Sequence, residues 1–144
     1  WSIFYLGSKP QVVERASGKI QRDYPGLRIS MHHGYLEQAG DRDASLVDTI
    51  NTFSPDILMV GMGMPRQETW LLQHLDRLDF GVATQTGATL DYFVGAQARP
   101  PLWMSQAGLG WLYRLFHDPR RLWRRYLVEP WALLWPTLVM WWKR

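Results

Sequence analysis

Short apolar runs alternate with longer amphipathic ones along residues 1–97 of this 144-residue chain. Ile3–Leu6 reads as a strand that ends at Gly7, and Lys9–Tyr24 reads as a helix with Val12, Val13, Ala16 and Ile20 on one side. Pro25-Gly26 stops that helix, and Leu27–His32 forms a second strand running into His33-Gly34-Tyr35. A helix over Asp43–Phe53 carries Leu46, Val47 and Ile50 and ends before Pro55. Asp56–Val60 is a buried strand, followed by Gly61-Met62-Gly63-Met64-Pro65. The next helix starts near Pro65, where proline suits the first helical position, and runs through Trp70, Leu71, Leu72 and Leu75. Phe80–Thr84 completes the strands, and Gly87–Phe93 opens a short helix.

Repeated βα units of this kind predict an α/β fold, a parallel sheet covered by helices on both faces. Ligands of such sheets bind beyond the carboxyl ends of the strands, beside the helix N-termini. Those ends are Gly7-Ser8, His33-Gly34-Tyr35, Gly61–Glu68 and Gln85–Asp91, and the site chemistry is expected there.

The pattern changes after Gly95. Residues 100–117 read as helical, with Gly108 and Gly110 as weak points, and Asp118-Pro119 reads as an N-cap and first helical residue. Over Arg120–Leu127 basic and apolar pairs alternate, which puts four Arg on one side of a helix and Leu, Trp and Tyr on the other. Pro130 restarts the chain, and Trp131–Trp142 is almost wholly apolar. Twelve helical residues reach roughly 18 Å, short of the about 30 Å of a bilayer core. An interfacial position suits the segment better, since Trp favours the headgroup level and Arg adds attraction to anionic lipid. The competing readings are a helix packed on its own domain or on a homo-oligomer partner, and a true span.

Charge sharpens this division into 1–97 and 98–144. The first part holds 8 Lys/Arg and 11 Asp/Glu, the second 8 Lys/Arg and 2 Asp/Glu, and seven of the nine Trp lie in the second. The formal net charge of +3 therefore belongs to a basic, Trp-rich tail. A local anionic partner is favoured over uniform coating of nucleic acid. With 20% charged and 47% hydrophobic residues the chain is not a disordered one. The lack of Cys excludes disulfides, zinc fingers and a cysteine nucleophile. The chain opens on Trp1-Ser2-Ile3-Phe4 with neither an initiator Met nor a signal-peptide pattern, so part of a longer polypeptide is expected.

Gly61-Met62-Gly63-Met64-Pro65-Arg66 begins like a dinucleotide-binding loop, but Arg66 stands where that fingerprint needs glycine. Its two glycines still let backbone approach a ligand, and the helix beginning at Pro65 offers free N–H groups to an anion. Gln67 and Glu68 lie in its first turn, able to hydrogen-bond sugar or ribose hydroxyls. Equally, this is a tight βα turn with Glu68 complementing the helix dipole. Asp91, among apolar neighbours near the fourth strand's end, is either an acceptor for a base or sugar proton or a surface carboxylate. Asp41-Arg42-Asp43 resembles a two-carboxylate metal motif but fits a helix cap better, and His32-His33 is too isolated for a metal site. Arg114, Arg121 and Arg124 suit a diphosphate clamp, because guanidinium forks fit phosphate oxygens in pairs. Arg120 and Arg125 suit lipid phosphates, and the plainer reading of all five is a solvated basic face.

Taken together, several motifs resemble the bacterial WecG/TagA/CpsF family of glycosyltransferases. They are Gly61–Trp70, Gly87–Gly95, Arg99–Met104, Gly110–Arg114 and Asp118–Leu127, joined upstream by Phe4–Pro10, Tyr24-Pro25-Gly26 and His33-Gly34-Tyr35. The resemblance covers nearly the whole chain. It implies a Rossmann-like parallel sheet with a helical, Arg/Trp-rich C-terminal appendage. It also implies inverting transfer of a hexose or N-acetylhexosamine from a UDP-sugar to a polyprenyl-diphosphate-linked saccharide, without metal or other cofactor. Gly34, Tyr35, Gly61, Gly63, Pro65, Gln67, Glu68 and Asp91 inherit the donor pocket, while Arg114, Arg121 and Arg124 inherit a role beside the departing diphosphate. The appendage is expected to dock on the cytoplasmic face of the inner membrane as a peripheral element. Family members carry roughly a hundred residues ahead of the strand that opens this chain, including the aspartate proposed as general base. The expected function is thus a glycosyltransferase whose catalytic set is incomplete in this chain, with a non-catalytic nucleotide-sugar-binding or membrane-tethering module as the alternative. Nucleic acid is not expected as a partner, and a homo-oligomer is compatible with the reading.

Overall fold

Along Ser2-Ile3-Phe4-Tyr5-Leu6-Gly7 successive side chains point to opposite faces, and the segment forms β1 (Ser2–Gly7) at the centre of a parallel sheet. The computed structural model describes residues 1–35, 40–129, 131 and 140, and the chain divides into two units, Trp1–Gln97 and Ala98–Arg144. In the first unit the order along the chain is β1, α1 (Pro10–Asp23), β2 (Arg28–His32), α2 (Gly40–Phe53), β3 (Ile57–Gly61), α3 (Arg66–His74), β4 (Val82–Gln85) and α4 (Thr89–Phe93). The sheet order is β2-β1-β3-β4, every neighbouring pair parallel, which makes the unit an α/β, Rossmann-like arrangement. Gly7 of β1 lies opposite Gly61 of β3, so the two central strands end level with each other.

Both faces of the sheet are covered, as the helical periodicity predicts. Phe4 and Leu6 of β1 pack with Leu58 and Val60 of β3, Leu46 and Ile50 of α2, and Trp70 of α3. On the opposite face Tyr5 meets Val12 and Ala16 of α1 and Leu90 of α4. Each fully buried large apolar side chain contributes at most about 1.5–3 kcal/mol to holding these layers together. Short α4 is tied to α1 by two cations at its C-terminal end. The Arg15 guanidinium donates to the Val94 carbonyl at 3.2 Å and Lys19 Nζ to the Phe93 carbonyl at 3.3 Å.

Several boundaries differ from those expected. Helix α2 begins at Gly40, so Asp41 and Asp43 fall within its first turn rather than at its cap; acidic residue types suit either place, because both lie at the positive end of the dipole. Pro65 is the N-cap of α3 and Arg66 its first helical residue, with a cis peptide joining Met64 to Pro65. Pairing of β4 with β3 starts at Val82, opposite Ile57, two residues later than the hydrophobic run.

In the second unit the expected helix over 100–117 is two helices, α5 (Leu102–Gln106) and α6 (Gly110–His117). The break falls at Gly108, whose φ of 72° ends α5 as left-handed glycines commonly end helices. Helix α7 (Pro119–Leu127) follows with Pro119 at its first position and Asp118 before it, as read from the sequence. Trp111 of α6 and Tyr126 of α7 meet edge to face at 6.1 Å. Leu122 of α7 is buried, whereas Trp123 and Leu127 are about half exposed. The apolar stretch Trp131–Trp142 lies outside the described residues apart from Trp131 and Met140. Among the described residues no helix is long and apolar enough to cross a membrane.

Candidate functional site

From β1 the chain passes through α1 to β2 on one side, whereas β3 lies on the other side of β1. Connections leaving the carboxyl ends of β1 and β3 therefore diverge and open a crevice between them, the usual ligand position in open parallel sheets. Small residues line its floor for steric reasons. A Cβ on Gly7 would collide with the Gly61 carbonyl, and one on Gly61 would strike the Tyr5 hydroxyl and lie 2.8 Å from the Gly87 carbonyl oxygen.

The loop from β3 to α3 is closed by its own glutamine. Gly63 has φ 81°, a left-handed conformation that favours glycine. Its N–H donates to Gln67 Oε1 at 3.2 Å, and its carbonyl accepts the Gln67 N–H at 3.1 Å. The Gln67 side chain is buried, and its Nε2 donates to Glu68 Oε1 at 2.9 Å. Glu68 Oε2 is buried without a hydrogen-bond partner. Such an acceptor suits a ligand hydroxyl or N–H, because an unsatisfied buried carboxylate oxygen is costly.

Across the crevice mouth a second network reaches Asp91. Ser8, buried directly after β1, has φ 58°, a conformation that costs a non-glycine residue about 1–3 kcal/mol. Its backbone is clamped between neighbouring strand ends: its N–H donates to the Gly61 carbonyl at 3.2 Å, and its carbonyl accepts the Gly34 N–H at 3.1 Å. The Ser8 hydroxyl donates to Asp91 Oδ2 at 2.7 Å and lies 3.0 Å from the Tyr5 hydroxyl. With the Ser8 proton committed to the carboxylate, Tyr5 must donate to Ser8 Oγ. Burial raises the Tyr5 phenol above its ordinary value, the Asp91 charge adds to that, and the bond to Ser8 opposes it. Tyr5 thus stays protonated at neutral pH and serves as a donor.

Of the residues singled out in the sequence, Gly34, Gly61, Gly63, Gln67, Glu68 and Asp91 gather around this crevice, with Pro65 heading α3 beside it. Tyr35 follows Gly34 and is half exposed. Arg114 and Arg124 belong to the second unit, both exposed, and the Arg121 side chain lies outside the described residues. In that unit Arg114 lines a cavity of about 380 Å³ with Trp111 and Tyr126. The Arg124 guanidinium sits 6.0 Å from the Trp123 ring, a cation–π distance. The His32 and His33 rings lie 4.5 Å apart, tilted by 35°, and burial lowers the His32 pKa.

Ser8 was placed by the sequence only as one of the strand ends where site chemistry is expected, and neither it nor Tyr5 was given a role of its own. The available signal was Tyr5 itself, whose place in the buried run Phe4–Gly7 obliges its hydroxyl to find a polar partner.

A model of the glycosyl transferase WecG/TagA/CpsF family matches residues 1–144. The chain is 35% identical over 122 residues to a Staphylococcus aureus (strain MW2) protein named N-acetylglucosaminyldiphosphoundecaprenol N-acetyl-beta-D-mannosaminyltransferase. The counterpart of the same name from strain MRSA252 is 34% identical over 122 residues. In both, the match takes in 85% of this chain and 47% of the relative, so the chain spans about half the length of the curated relatives it matches.

Proposed function

This chain belongs to the glycosyl transferase WecG/TagA/CpsF family, and on that premise we propose that its first unit is the sugar-nucleotide half of a glycosyltransferase. The carrying observation is the crevice at the ends of β1 and β3, where close-set glycines meet the buried Gln67, the half-satisfied Glu68 and Asp91. Backbone at Gly61 and Gly63 approaches the donor, a UDP-sugar, while Glu68 and Asp91 accept from ribose, sugar or base donors. The acceptor is a polyprenyl-diphosphate-linked saccharide, in keeping with the undecaprenol-linked substrate in the relatives' names.

In the reaction an acceptor hydroxyl attacks the anomeric carbon, the bond from that carbon to the UDP oxygen breaks, and UDP leaves with the electron pair. Configuration inverts, and the hydroxyl proton passes to a general base that this reading assigns to none of the 144 residues. Arg114, Arg121 and Arg124 neutralise the departing diphosphate, where fixed cations act on charge that grows in the transition state. The exposed Trp103, Trp111 and Trp123, with Arg120 and Arg125, serve as the membrane-facing surface on the cytoplasmic side.

The test is a donor screen followed by a transfer assay. UDP and UDP-N-acetylmannosamine are expected to raise the melting temperature of the 144-residue chain, with little transfer to an N-acetylglucosaminyl-diphosphate-lipid acceptor. No shift with any uridine nucleotide removes the donor-site reading, and robust transfer by this chain removes the claim that its catalytic set is incomplete.

A further inference from the structure

The crevice holds one side chain, Ser8, whose backbone conformation is unfavourable for its residue type and whose hydroxyl both donates and accepts a hydrogen bond. We infer that Ser8 is a positioning residue, which with Tyr5 holds the Asp91 carboxylate in one orientation at the carboxyl ends of β1 and β3. Three observations carry this. Ser8 stands at φ 58° although glycine would adopt that conformation freely, so the side chain is retained against a conformational cost. Its N–H and carbonyl are tied to Gly61 and Gly34, which sets the direction of its Cα–Cβ bond from two strand ends at once. Its hydroxyl bonds Asp91 across 83 positions of sequence at 2.7 Å, and the Tyr5 hydroxyl, itself in a buried residue of β1, completes the relay at 3.0 Å.

Asp91 needs such support. It sits on a five-residue helix, α4, whose only buried residue is Leu90, and so short a helix has little rigidity of its own. Arg15 and Lys19 fix the C-terminal end of α4, while Ser8 fixes the carboxylate itself. A carboxylate offers about four acceptor positions. Ser8 occupies one of them, which sets the plane in which the others meet a ligand donor. The advantage is preorganisation: the donor is received by a carboxylate that does not have to be ordered on binding.

This inference rests on the donor-site reading, and the experiment separates the two. NMR side-chain couplings measured on the 144-residue chain are expected to place Asp91 in a single rotamer, and to average over rotamers in Ser8→Gly. Tyr5→Phe, which keeps the ring and removes only the hydroxyl, is expected to give partial averaging. Titration with UDP then reads the consequence. Ser8→Gly is expected to weaken binding about tenfold, Asp91→Asn at least as much, and the double variant no further than Asp91→Asn alone. Ser8→Gly should melt close to the wild-type temperature, since relief of the left-handed backbone offsets the bond lost by the buried Tyr5 hydroxyl. Should it melt lower, the Tyr5→Phe couplings decide the matter. An Asp91 that keeps one rotamer in both variants overturns the positioning role, as do UDP losses that multiply in the double variant. Failure of the wild-type chain to bind UDP counts against the donor-site reading alone, because the couplings still report on Ser8.

Discussion

The two units solve the burial of apolar surface differently. Residues 1–97 place apolar side chains on both faces of a four-stranded sheet and cover each face with helices, so Phe4, Leu6, Ile50, Leu58 and Val60 are almost wholly buried. Among the described residues of 98–144, Leu122 is the single buried apolar side chain, while Trp103, Trp111 and Trp123 are 63%, 43% and 47% exposed. A parallel sheet with two covered faces can hide a core in under a hundred residues. The three described helices of the second unit, of five, eight and nine residues, bury less, and Trp103, Trp111, Phe116 and Trp123 on them stay exposed. Where the first unit buries aromatic residues in its core, the described helices of the second carry exposed ones among arginines, the feature on which the proposed lipid-facing surface rests.

The sharpest way to break this contrast is to truncate one aromatic residue in each unit. Phe4→Ala should cost about 3–5 kcal/mol in chemical denaturation, whereas Trp123→Ala should change stability by no more than about 0.5 kcal/mol. Comparable losses at the two positions would mean that the second unit has a core of its own. A smaller effect separates cohesion from surface attraction. Arg120→Gln with Arg125→Gln should weaken co-sedimentation with anionic phospholipid vesicles by about 1 kcal/mol per charge, with an unchanged melting temperature. Vesicle binding that is indifferent to both changes would remove the lipid-facing reading of α7. The smallest effect lies at the base of the sheet, where the Ser2 N–H and hydroxyl both donate to Asp56 Oδ2, at 2.6 and 3.0 Å. These bonds, the backbone one first, hold the Asp56 pKa below its ordinary value. Their contribution is therefore present above the ordinary carboxylate pKa of about 3.9 and fades as pH falls through the lowered one. Ser2→Ala should be slightly less stable than wild type at pH 7, with the gap closing towards pH 2 in thermal melts.

Much of the first unit was legible in the hydrophobic pattern. Ile3–Leu6, Leu27–His32 and Asp56–Val60 lie close to the observed β1, β2 and β3, because strand periodicity and buried apolar runs are local properties. The β4 boundary was less legible. Phe80 is apolar, but pairing begins only at Val82, opposite Ile57, and register is a relation between strands. Gly108 was readable as a weak point, since a lone glycine in a helical run marks a terminus as readily as a tolerated interior position.

The candidate site divides along the same line. Gln67 and Glu68 could be placed from sequence because the loop and helix that carry them are contiguous, and the Gly63–Gln67 bonds are local. Ser8 could be placed at a strand end but not given a role, since that role lies in Asp91, 83 positions away, and in a backbone conformation that residue type alone does not reveal. Composition and periodicity were enough to establish an α/β chain with a basic, Trp-rich end, because both depend on neighbours within a few residues. Which strand ends meet, that Gly7 faces Gly61, and that Tyr5, Ser8 and Asp91 form one relay were settled by the folded chain. Strand order and long-range hydrogen bonds arise from packing between segments, and local sequence does not specify that packing.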